Sequence, residues 1–346
     1  KFKVLRLRKS VLIPSLSTLF IRRETTTSEK LQSLKFTSRF INSFFRPFFG
    51  GIFLESELRT SSRFFDFVFR MFAQGDGAVP SNGMAAIPGQ LASQLPHDVI
   101  LTNTEVKDIQ LGDLITVHLS DDQLIRSRSV IVATPWQIAE NLTGLNIRSD
   151  GFSDYSVTSI SYAATTSPVN DNILVLNGSG NGVINHLVCM SDVATNYSSD
   201  SRSLVSVTIL GDPSLSNEEL NIQCLSELEV WYGATVKEWQ LIRVDRINHA
   251  LPKNPVMTIN PEVPQPMKGV FLSGDYLATP SIEGAITSGL STSAGVAKFL
   301  KNESTVDIPL ERPSFENRFT VDCSLEEVAL FHASESALEN LQPPLS

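Results

Sequence analysis

The chain has 346 residues, 42% of them hydrophobic and 19% charged, with a net charge of -9 at pH 7. At roughly 150 residues per domain, this length predicts two domains or one large domain carrying an insertion. The composition excludes a disordered, collagen-like or fibrous chain, and no apolar run reaches the roughly 18 residues of a membrane-spanning helix. Cys189, Cys224 and Cys323 form no CxxC pair, which argues against a disulfide framework or zinc site and favours a reducing compartment.

Positive charge and phenylalanine are concentrated in the first quarter of the sequence. Residues 1–75 hold 14 of the 28 Lys and Arg, 5 of the 37 Asp and Glu, and 14 of the 20 Phe, a net charge of +9 against -18 for the remainder. No nucleic-acid-binding motif is present, so nucleic acid is not an expected partner. The Phe residues either fill a helical core or line a cavity for an apolar ligand. Residues 1–75 are also a candidate peripheral membrane contact.

The first 75 residues predict helices. The basic start over residues 1–9, with the apolar run after it, superficially resembles a signal peptide, but Pro14 interrupts the run and no cleavage site follows. We therefore expect a protein that is not secreted, and a start that resembles the interior of a longer chain. Helical periodicity predicts one helix capped by Ser28 and another over residues 58–72, with Gly50-Gly51 separating them.

A loop, a short helix and a sheet are predicted next. Residues 75–83 are turn-rich and read as a loop, after which Ile87, Leu91 and Leu95 share one face of a short helix. The last strand of the sheet runs into Thr134-Pro135-Trp136, which predicts a crossing from strand to helix. Four strand-like runs make up the predicted sheet, at residues 99–102, 105–109, 114–119 and 129–134.

Residues 155–211 predict antiparallel strands. Within them, Gly178 to Gly182 comes nearest to the phosphate-binding GxGxxG fingerprint, but Val183 stands at the third glycine, so a hairpin turn is the better interpretation. Ser216 to Glu219 form a capping box that predicts a helix ending at Gly233, and a strand is predicted over residues 236–247.

The C-terminal part contains the most informative motif. A short apolar strand ends at Gly274-Asp275, and a helix is predicted over residues 283–300. An acidic residue after a strand, followed by bare helix N–H groups, suits a flavin dinucleotide. The acidic tail after Lys301 is expected to be peripheral, with one short helix over residues 325–341. The five histidines show no HxH, HxxxH or HExxH spacing, so no metal site is predicted.

The run from Gly274 to Gly289, of the pattern GD-x(5)-SIEGAxxSG, carries a family resemblance. Residues 80–84, Ile87-Pro88, the strand end at residues 130–135 and the FFRPFFGG run at residues 44–51 support it. On these motifs the chain resembles the flavin-containing amine oxidoreductase superfamily over roughly residues 20–300, and within it the phytoene desaturase and carotenoid isomerase-like branch. The resemblance implies FAD as cofactor and a lipophilic small molecule as substrate.

The resemblance also implies positions for the cofactor. Asp275 would hydrogen-bond the ribityl or pyrophosphate part of FAD, and the helix start at Gly284 and Ala285 would lie against the flavin. Val106 would approach the adenine end, Thr134-Pro135 would close the FAD-binding domain, and Gly83 and Met84 would lie near the flavin ring or substrate. No side chain is assigned a catalytic role. The complete predicted set is Gly83, Met84, Val106, Thr134, Pro135, Gly274, Asp275, Ile282, Glu283, Gly284 and Ala285.

The sequence departs from the family pattern in one major way. The N-terminal strand, GxGxxG loop and ribose-binding acid of the family are not found in this sequence. The chain is therefore expected to correspond to the C-terminal two-thirds or so of such an enzyme. A minor departure is Pro280, at a position where the family commonly has glycine. Three functions stay open: FAD-dependent hydride abstraction, as desaturation or isomerisation, on a polyene-like lipophile; a truncated, non-catalytic chain that binds a lipophile or a partner; and an amine oxidase.

The expected fold class is α/β (α+β), an incomplete Rossmann-like FAD-binding domain interleaved with a substrate domain of mixed sheet plus helices. A plastid location would suit the carotenoid-like branch, and a cytoplasmic location is the alternative. The predicted segments are a helical, Phe-rich part of the substrate domain at 1–75, part of the FAD-binding domain at 76–150, more substrate domain at 151–250, the C-terminal FAD-binding part at 251–300 and a peripheral tail at 301–346.

Overall fold

The computed structural model confirms a mixed α/β fold of helices with several sheets. The chain divides into two compact units, each assembled from separate stretches of sequence. The first unit comprises Lys1–Ser93, Asp154–Leu251 and Asp322–Ser346, and the second comprises Gln94–Ser153 and Pro252–Val321. The structure describes residues 2–96, 99–145, 147, 153–253, 261–303 and 328–331.

Helices predominate at the two ends of the described chain. Between α4 and α5 lies a single wider turn of π-helix, Ile41–Phe45. The α-helices are α1 Phe2–Leu12, α2 Leu16–Phe20, α3 Thr27–Ser33, α4 Ser38–Phe40, α5 Arg46–Phe53, α6 Ser62–Gln74, α7 Ala86–Ser93, α8 Trp136–Thr143, α9 Met190–Val193, α10 Asn217–Tyr232 and α11 Ile282–Glu303.

The strands form four sheets, whose orders are β10-β6-β9-β8-β7, β2-β3-β4, β11-β5 and β1-β12. The strands are β1 Gly77–Pro80, β2 Val106–Gln110, β3 Ile115–Leu119, β4 Leu124–Ser127, β5 Val130–Val132, β6 Asp154–Ala164, β7 Leu174–Leu176, β8 Ile184–Cys189, β9 Ser203–Leu210, β10 Gln240–Pro252, β11 Val270–Leu272 and β12 Val328–Phe331.

The predicted helices of the first 75 residues form, with corrected ends. Helix α3 is capped by Thr26, which forms a reciprocal capping box with Glu29, and not by Ser28 as predicted. Thr26 is preferred to Ser28 as the cap because the Glu29 carboxylate also accepts the backbone N–H of Thr26 itself. Gly50-Gly51 lie inside α5 and do not separate two helices. Tight packing explains them, since a Cβ at Gly51 would lie 2.7 Å from the His186 ring.

A buried carboxylate ties the N-terminal helices together. Asp66 on α6 is fully buried and forms ion pairs with Arg22, at 2.6 Å, and with Lys30 on α3. Because a buried charge is costly unless it is paired, these two cations are what allow an acid on the inner face of a phenylalanine-rich helix. The same helix buries Phe64 and Phe65.

The five-stranded sheet supports the main core of the first unit. Strand β6 pairs antiparallel with β9 over Val157 to Ala164, and β8 pairs antiparallel with both β9 and β7. Alternate residues of β9 point inward to α10, whose inner face is Leu220, Cys224 and Leu228. The predicted antiparallel strands, the capping box at Ser216 and the helix end at Gly233 are all confirmed.

The glycine-rich run between β7 and β8 is a hairpin loop, as predicted. Its last glycine, Gly182, has a φ of +84° and no room for a side chain, since a Cβ would lie 2.2 Å from the Glu227 carboxylate. That carboxylate accepts the backbone N–H groups of Val183 and Ile184 at 2.7 and 3.2 Å. The loop is therefore fixed to α10 within the protein.

The second unit combines an antiparallel meander, β2-β3-β4, with one parallel pair, β5 and β11. Residues 99–102, predicted as a strand, are irregular instead, and a strand that was not predicted forms at Leu124–Ser127. The exposed Val99, Ile100 and Leu101 have strand-forming side chains. They gain no ladder partner among the described residues, and pairing decides strand formation more than propensity.

Two further expectations are corrected near β1. The predicted loop at residues 75–83 contains strand β1, which pairs with β12, about 250 residues later in the sequence. Most of the predicted helix at residues 325–341 lies outside the described residues, and the four that are described form β12.

Helix α7 forms as predicted, but Leu91 and Leu95 are exposed. In the described part of the chain, no helix is long and apolar enough to cross a membrane.

Candidate functional site

The candidate site is built at the carboxyl ends of two adjacent parallel strands in the second unit. Strands β5 and β11 end in register at Val132 and Leu272, and the N–H of Ser273 donates to the Val132 carbonyl at 3.0 Å. Each strand is followed by a helix, α8 or α11. In open α/β sheets this edge is where ligands bind, because loops and helix N-termini converge there.

Side chains of α11 hold the end of β11 in place. Thr292 donates its hydroxyl to the Leu272 carbonyl at 3.1 Å, and the N–H of Gly274 donates to the Ser288 hydroxyl oxygen at 3.0 Å. Both residues are buried. Gly274 is extended and lies so close to the Tyr276 ring that a Cβ would come within 2.3 Å of it. The position of Asp275 is therefore fixed by hydrogen bonds and packing on either side of it.

Three residues organise the start of α11: Thr279 and Ser281 in the turn before the helix, and Gly284 in its first turn. Ser281 accepts the N–H of Gly284 at 3.0 Å and so caps the helix. Gly284 is buried, and a Cβ there would lie 1.8 Å from the Thr279 carbonyl oxygen. The glycine thus allows the turn to close onto the helix, which leaves the N–H groups of Ile282 and Glu283 at an exposed helix start.

The charge of this helix start is mixed. The N-terminal end of a helix carries partial positive charge, but Glu283 places a carboxylate in the first turn, where it accepts the Thr287 hydroxyl at 3.0 Å. A second anion close to Glu283 would be repelled. The helix start is therefore better suited to neutral hydrogen-bond acceptors than to a pyrophosphate.

Three further predicted residues belong to the same unit. Thr134 and Pro135 lie between β5 and α8, and Pro135 immediately precedes the helix. Val106 begins β2 and packs against the small core formed by residues of β5, β11 and α8. The second unit thus brings together nine of the predicted residues, from Val106 to Ala285. Whether each of them contacts a cofactor stays a prediction.

Gly83 and Met84 belong to the first unit. They follow β1 in a turn where Gly83 has a φ of +88° and Met84 is exposed. Two residues after α9 hold this turn: Tyr197 donates its hydroxyl to the Pro80 carbonyl at 2.8 Å, and Asn196 donates to the Asn82 side chain at 3.0 Å.

The sequence analysis missed the residues that support the site. Thr279, Ser281, Ser288 and Thr292 are buried or half-buried and orient the two elements that surround Asp275. The N-cap could have been found, since a serine preceding a helix and three residues before Gly284 is a known cap pattern. Ser288 also stands in the motif over Gly274 to Gly289, whereas Thr279 and Thr292 carry no sequence pattern of their own.

The second unit offers what the flavin and ribityl part of FAD requires. It has helix N–H donors at α11, a carboxylate at Asp275 and a strand edge of the kind that binds dinucleotides. In the residues that the structure describes, no glycine-rich loop joins a strand to a helix. The residues present therefore fit the flavin end of the cofactor better than its pyrophosphate. In the same described residues, no three His, Cys, Asp or Glu side chains are grouped to hold a metal.

Three titratable groups in the packed interior of the first unit have pKa values shifted by burial. Burial lowers the pKa of His186 to about 4. Burial, reinforced by the Glu227 carboxylate, raises the pKa of the Cys224 thiol to about 12. Tyr162, whose pKa is raised by burial, donates to the Asn221 side chain at 2.9 Å. These groups are neutral members of a core, and their environment gives them a structural role.

The predicted phenylalanine cluster divides into two rows. Phe45, Phe49, Phe53 and Phe65 are buried and form the helical core. The second row is half-buried and contains every fourth residue from Phe36 to Phe48. Its successive ring centroids are 5.8, 5.4 and 5.5 Å apart, and the rings of the last two pairs are nearly parallel. We call this second row, Phe36, Phe40, Phe44, Phe48 and the adjoining Phe72, the aromatic row.

The family can now be identified. The profile of flavin containing amine oxidoreductases matches residues 16–297. That is most of the chain, so the protein belongs to this family, and its cofactor is FAD. No curated protein matches the sequence.

Solved structures of oxidases share the fold at low sequence identity. A protein described as a protoporphyrinogen oxidase from Exiguobacterium is 15% identical, with a TM-score of 0.62 over 87% of this chain and 73% of that one. A putrescine oxidase variant is 13% identical, with a TM-score of 0.60 over 87% and 75%. Cyclohexylamine oxidase from Brevibacterium oxydans is 11% identical, with a TM-score of 0.55 over 86% and 73%. At these identities the likeness concerns the fold.

Proposed function

We propose that the protein is an FAD-dependent oxidoreductase that removes hydride from a lipophilic, polyene-like substrate, as a member of the phytoene desaturase and carotenoid isomerase-like branch. The observation that carries this proposal is the aromatic row. A plastid location belongs to the same proposal, because it follows from the resemblance to that branch, with a cytoplasmic location as the alternative.

The aromatic row suits an extended apolar chain. Phe40, Phe44 and Phe48 are stacked with interplanar angles of 16° and 8°, which gives a flat succession of ring faces. Each residue is half-buried, although aromatic side chains are strongly stabilised by full burial. A conjugated or methyl-branched hydrocarbon would cover these faces and exclude water from them. An amine of a few carbon atoms would cover only one ring.

Each residue set has its own task in this scheme. Making a C=C bond removes a hydride from one carbon and a proton from its neighbour, the proton passes to water, and bound FAD supplies the hydride acceptor. The aromatic row orients the hydrocarbon and excludes water. The N–H groups at the start of α11 and the Asp275 carboxylate hold the cofactor, while Ser281 and Gly284 fix the helix start. No protein side chain is required to act as a nucleophile.

The experiment begins with flavin retention. The purified protein is incubated with FAD and desalted, and the bound flavin bands are recorded. An acyclic polyene in detergent is then added anaerobically, and bleaching of the oxidised flavin band is followed. We expect the polyene to bleach the flavin, and Phe44→Gln to slow bleaching at least tenfold while retaining flavin. Phe67→Gln, at a half-buried phenylalanine outside the row, is the matched control and should change the rate little.

An amine substrate is the second candidate, favoured by the structural likeness to putrescine oxidase and cyclohexylamine oxidase. Putrescine and cyclohexylamine are therefore tested in the same assay. Bleaching by an amine and not by the polyene would replace the proposed substrate class. A folded protein that retains no flavin would contradict the catalytic proposal, and would favour a non-catalytic chain that binds a lipophile or partner.

A further inference from the structure

The outward face of helix α1 combines exposed apolar and basic side chains. Leu7 and Val11 are fully buried on the inner face of the helix, which packs against α6. Phe2 and Leu5 are 82% and 53% exposed, and Ile13, just beyond the helix end, is 81% exposed. Phe2 and Ile13 are among the most exposed large apolar side chains of the described residues, and their grouping with Leu5 beside cations marks a candidate interaction surface.

Cations share this face with the apolar residues. At 100° per residue, Arg6 and Lys9 lie within about 40° of Phe2 around the helix axis, opposite the buried Leu7 and Val11. Both are exposed, and neither forms an ion pair with any described residue. The helix contains no acidic residue.

The other two cations of α1 serve the protein itself. Arg8 donates to the Ala73 carbonyl at 3.1 Å, and Lys3 donates to the Lys35 carbonyl at 2.5 Å. These two bonds anchor the helix by its sides, while the two cations of its outward face have no ion-pair partner in the part of the chain that the structure describes. Beyond α2, Ile21 is 79% exposed and is followed by the exposed Arg23, which repeats the combination.

We propose that this basic-apolar face of α1 binds the surface of an anionic lipid bilayer. Phe2, Leu5 and Ile13 would enter the boundary between headgroups and acyl chains, and Arg6 and Lys9 would contact lipid phosphates. Charge complementarity selects this partner. Residues 1–75 carry +9 and the remainder -18, so an anionic surface attracts this end of the sequence and repels the rest. The proposal does not depend on the substrate proposed above.

The test is co-sedimentation of the full chain, loaded with FAD, with two kinds of vesicle. One contains phosphatidylcholine alone, and the other contains phosphatidylcholine with phosphatidylserine. We expect binding to the anionic vesicles and much weaker binding to the neutral ones. Replacing Arg6 and Lys9 together by Gln should lower the partition coefficient by about tenfold or more, since each surface cation contributes several-fold. Phe2→Ser with Ile13→Ser should lower the binding that persists at high salt.

The matched control is the pair Lys298→Gln and Lys301→Gln. These cations are exposed on α11 with the same spacing of three residues. Their loss should leave vesicle binding unchanged, with circular dichroism confirming that all variants fold. Equal loss in both pairs would show that binding follows net charge and not this face, which overturns the proposal. Absence of vesicle binding, or a self-association that the Phe2 and Ile13 changes abolish, would also overturn it.

Discussion

The two compact units differ in how much of their architecture rests on apolar burial within the chain. In the first, five strands and α10 enclose a core of fourteen buried residues. In the second, among the described residues, the parallel pair has two strands and the core cluster around it has six buried residues. The first unit is therefore stabilised mainly by its own core. The second depends more on local hydrogen bonds and close contacts around Asp275, and is expected to gain more stability from a bound cofactor.

Gly284→Ala tests the second unit and should have the largest effect. A Cβ placed 1.8 Å from the Thr279 carbonyl oxygen forces the turn away from α11. We expect flavin retention after desalting to fall at least tenfold. Gly289→Ala is the control in the same helix, because its Cβ would be 4.0 Å from Ser273 and alanine favours helix. Equal flavin retention in the two variants would show that the helix start does not hold the cofactor.

Gly182→Ala applies the corresponding change to the first unit. Alanine at this position would have a strained φ of +84° and a Cβ only 2.2 Å from the Glu227 carboxylate. The free energy of unfolding should therefore fall by about 3 kcal/mol. Flavin retention should change little under folding conditions. Gly180→Ala, with a φ of +72° and open space around it, should cost only about 1 kcal/mol. Urea unfolding checks both values, and similar losses in the two variants would mean that the contact with Glu227 is unimportant.

The stability of the first unit should also depend on pH through His186. The pKa of His186 is about 4 in the folded protein and 6.5 ordinarily. As the pH falls, the unfolded chain therefore binds a proton at a higher pH than the folded protein does. Stability is then full above pH 6.5 and falls as the pH approaches 4. The loss should be about 2 kcal/mol, after allowing for partial exposure. Unfolding of the wild type and of His186→Gln across this interval measures it, and parallel curves would exclude His186 as the cause.

The two units were also unequally predictable from sequence. Local patterns predicted the capping box at Ser216, the hairpin at Gly178 to Gly182 and the helix after Asp275, because each depends on residues within a few positions. Strand β1 was missed because its partner β12 lies about 250 residues away. Gly50 and Gly51 were misread as a break, since the packing that requires them in α5 comes from the Glu55 backbone at Gly50 and from His186 of β8 at Gly51.

Only the motif of the candidate site, and not the residues that support it, could be predicted from the sequence. The pattern around Asp275 and Gly284 singled out the strand end and helix start. Ser288 belongs to that motif, but its role at the strand end follows from its contact with Gly274. Thr292, outside the motif, resembles an ordinary helix residue until the fold brings it to Leu272. A sequence motif identifies the residues that approach a ligand, whereas the residues that position them are identified only from tertiary contacts.

The smallest expected effect compares the N-caps of the two units. Ser216→Ala on α10 and Ser281→Ala on α11 each remove a hydroxyl that accepts a backbone N–H, at 3.2 and 3.0 Å. Each should cost about 1 kcal/mol of stability. Only Ser281→Ala should also weaken flavin retention, by a few-fold, because its cap lies at the proposed cofactor contact. A flavin titration of both variants decides this, and equal weakening would mean that cofactor binding reports global stability and not the local order of α11.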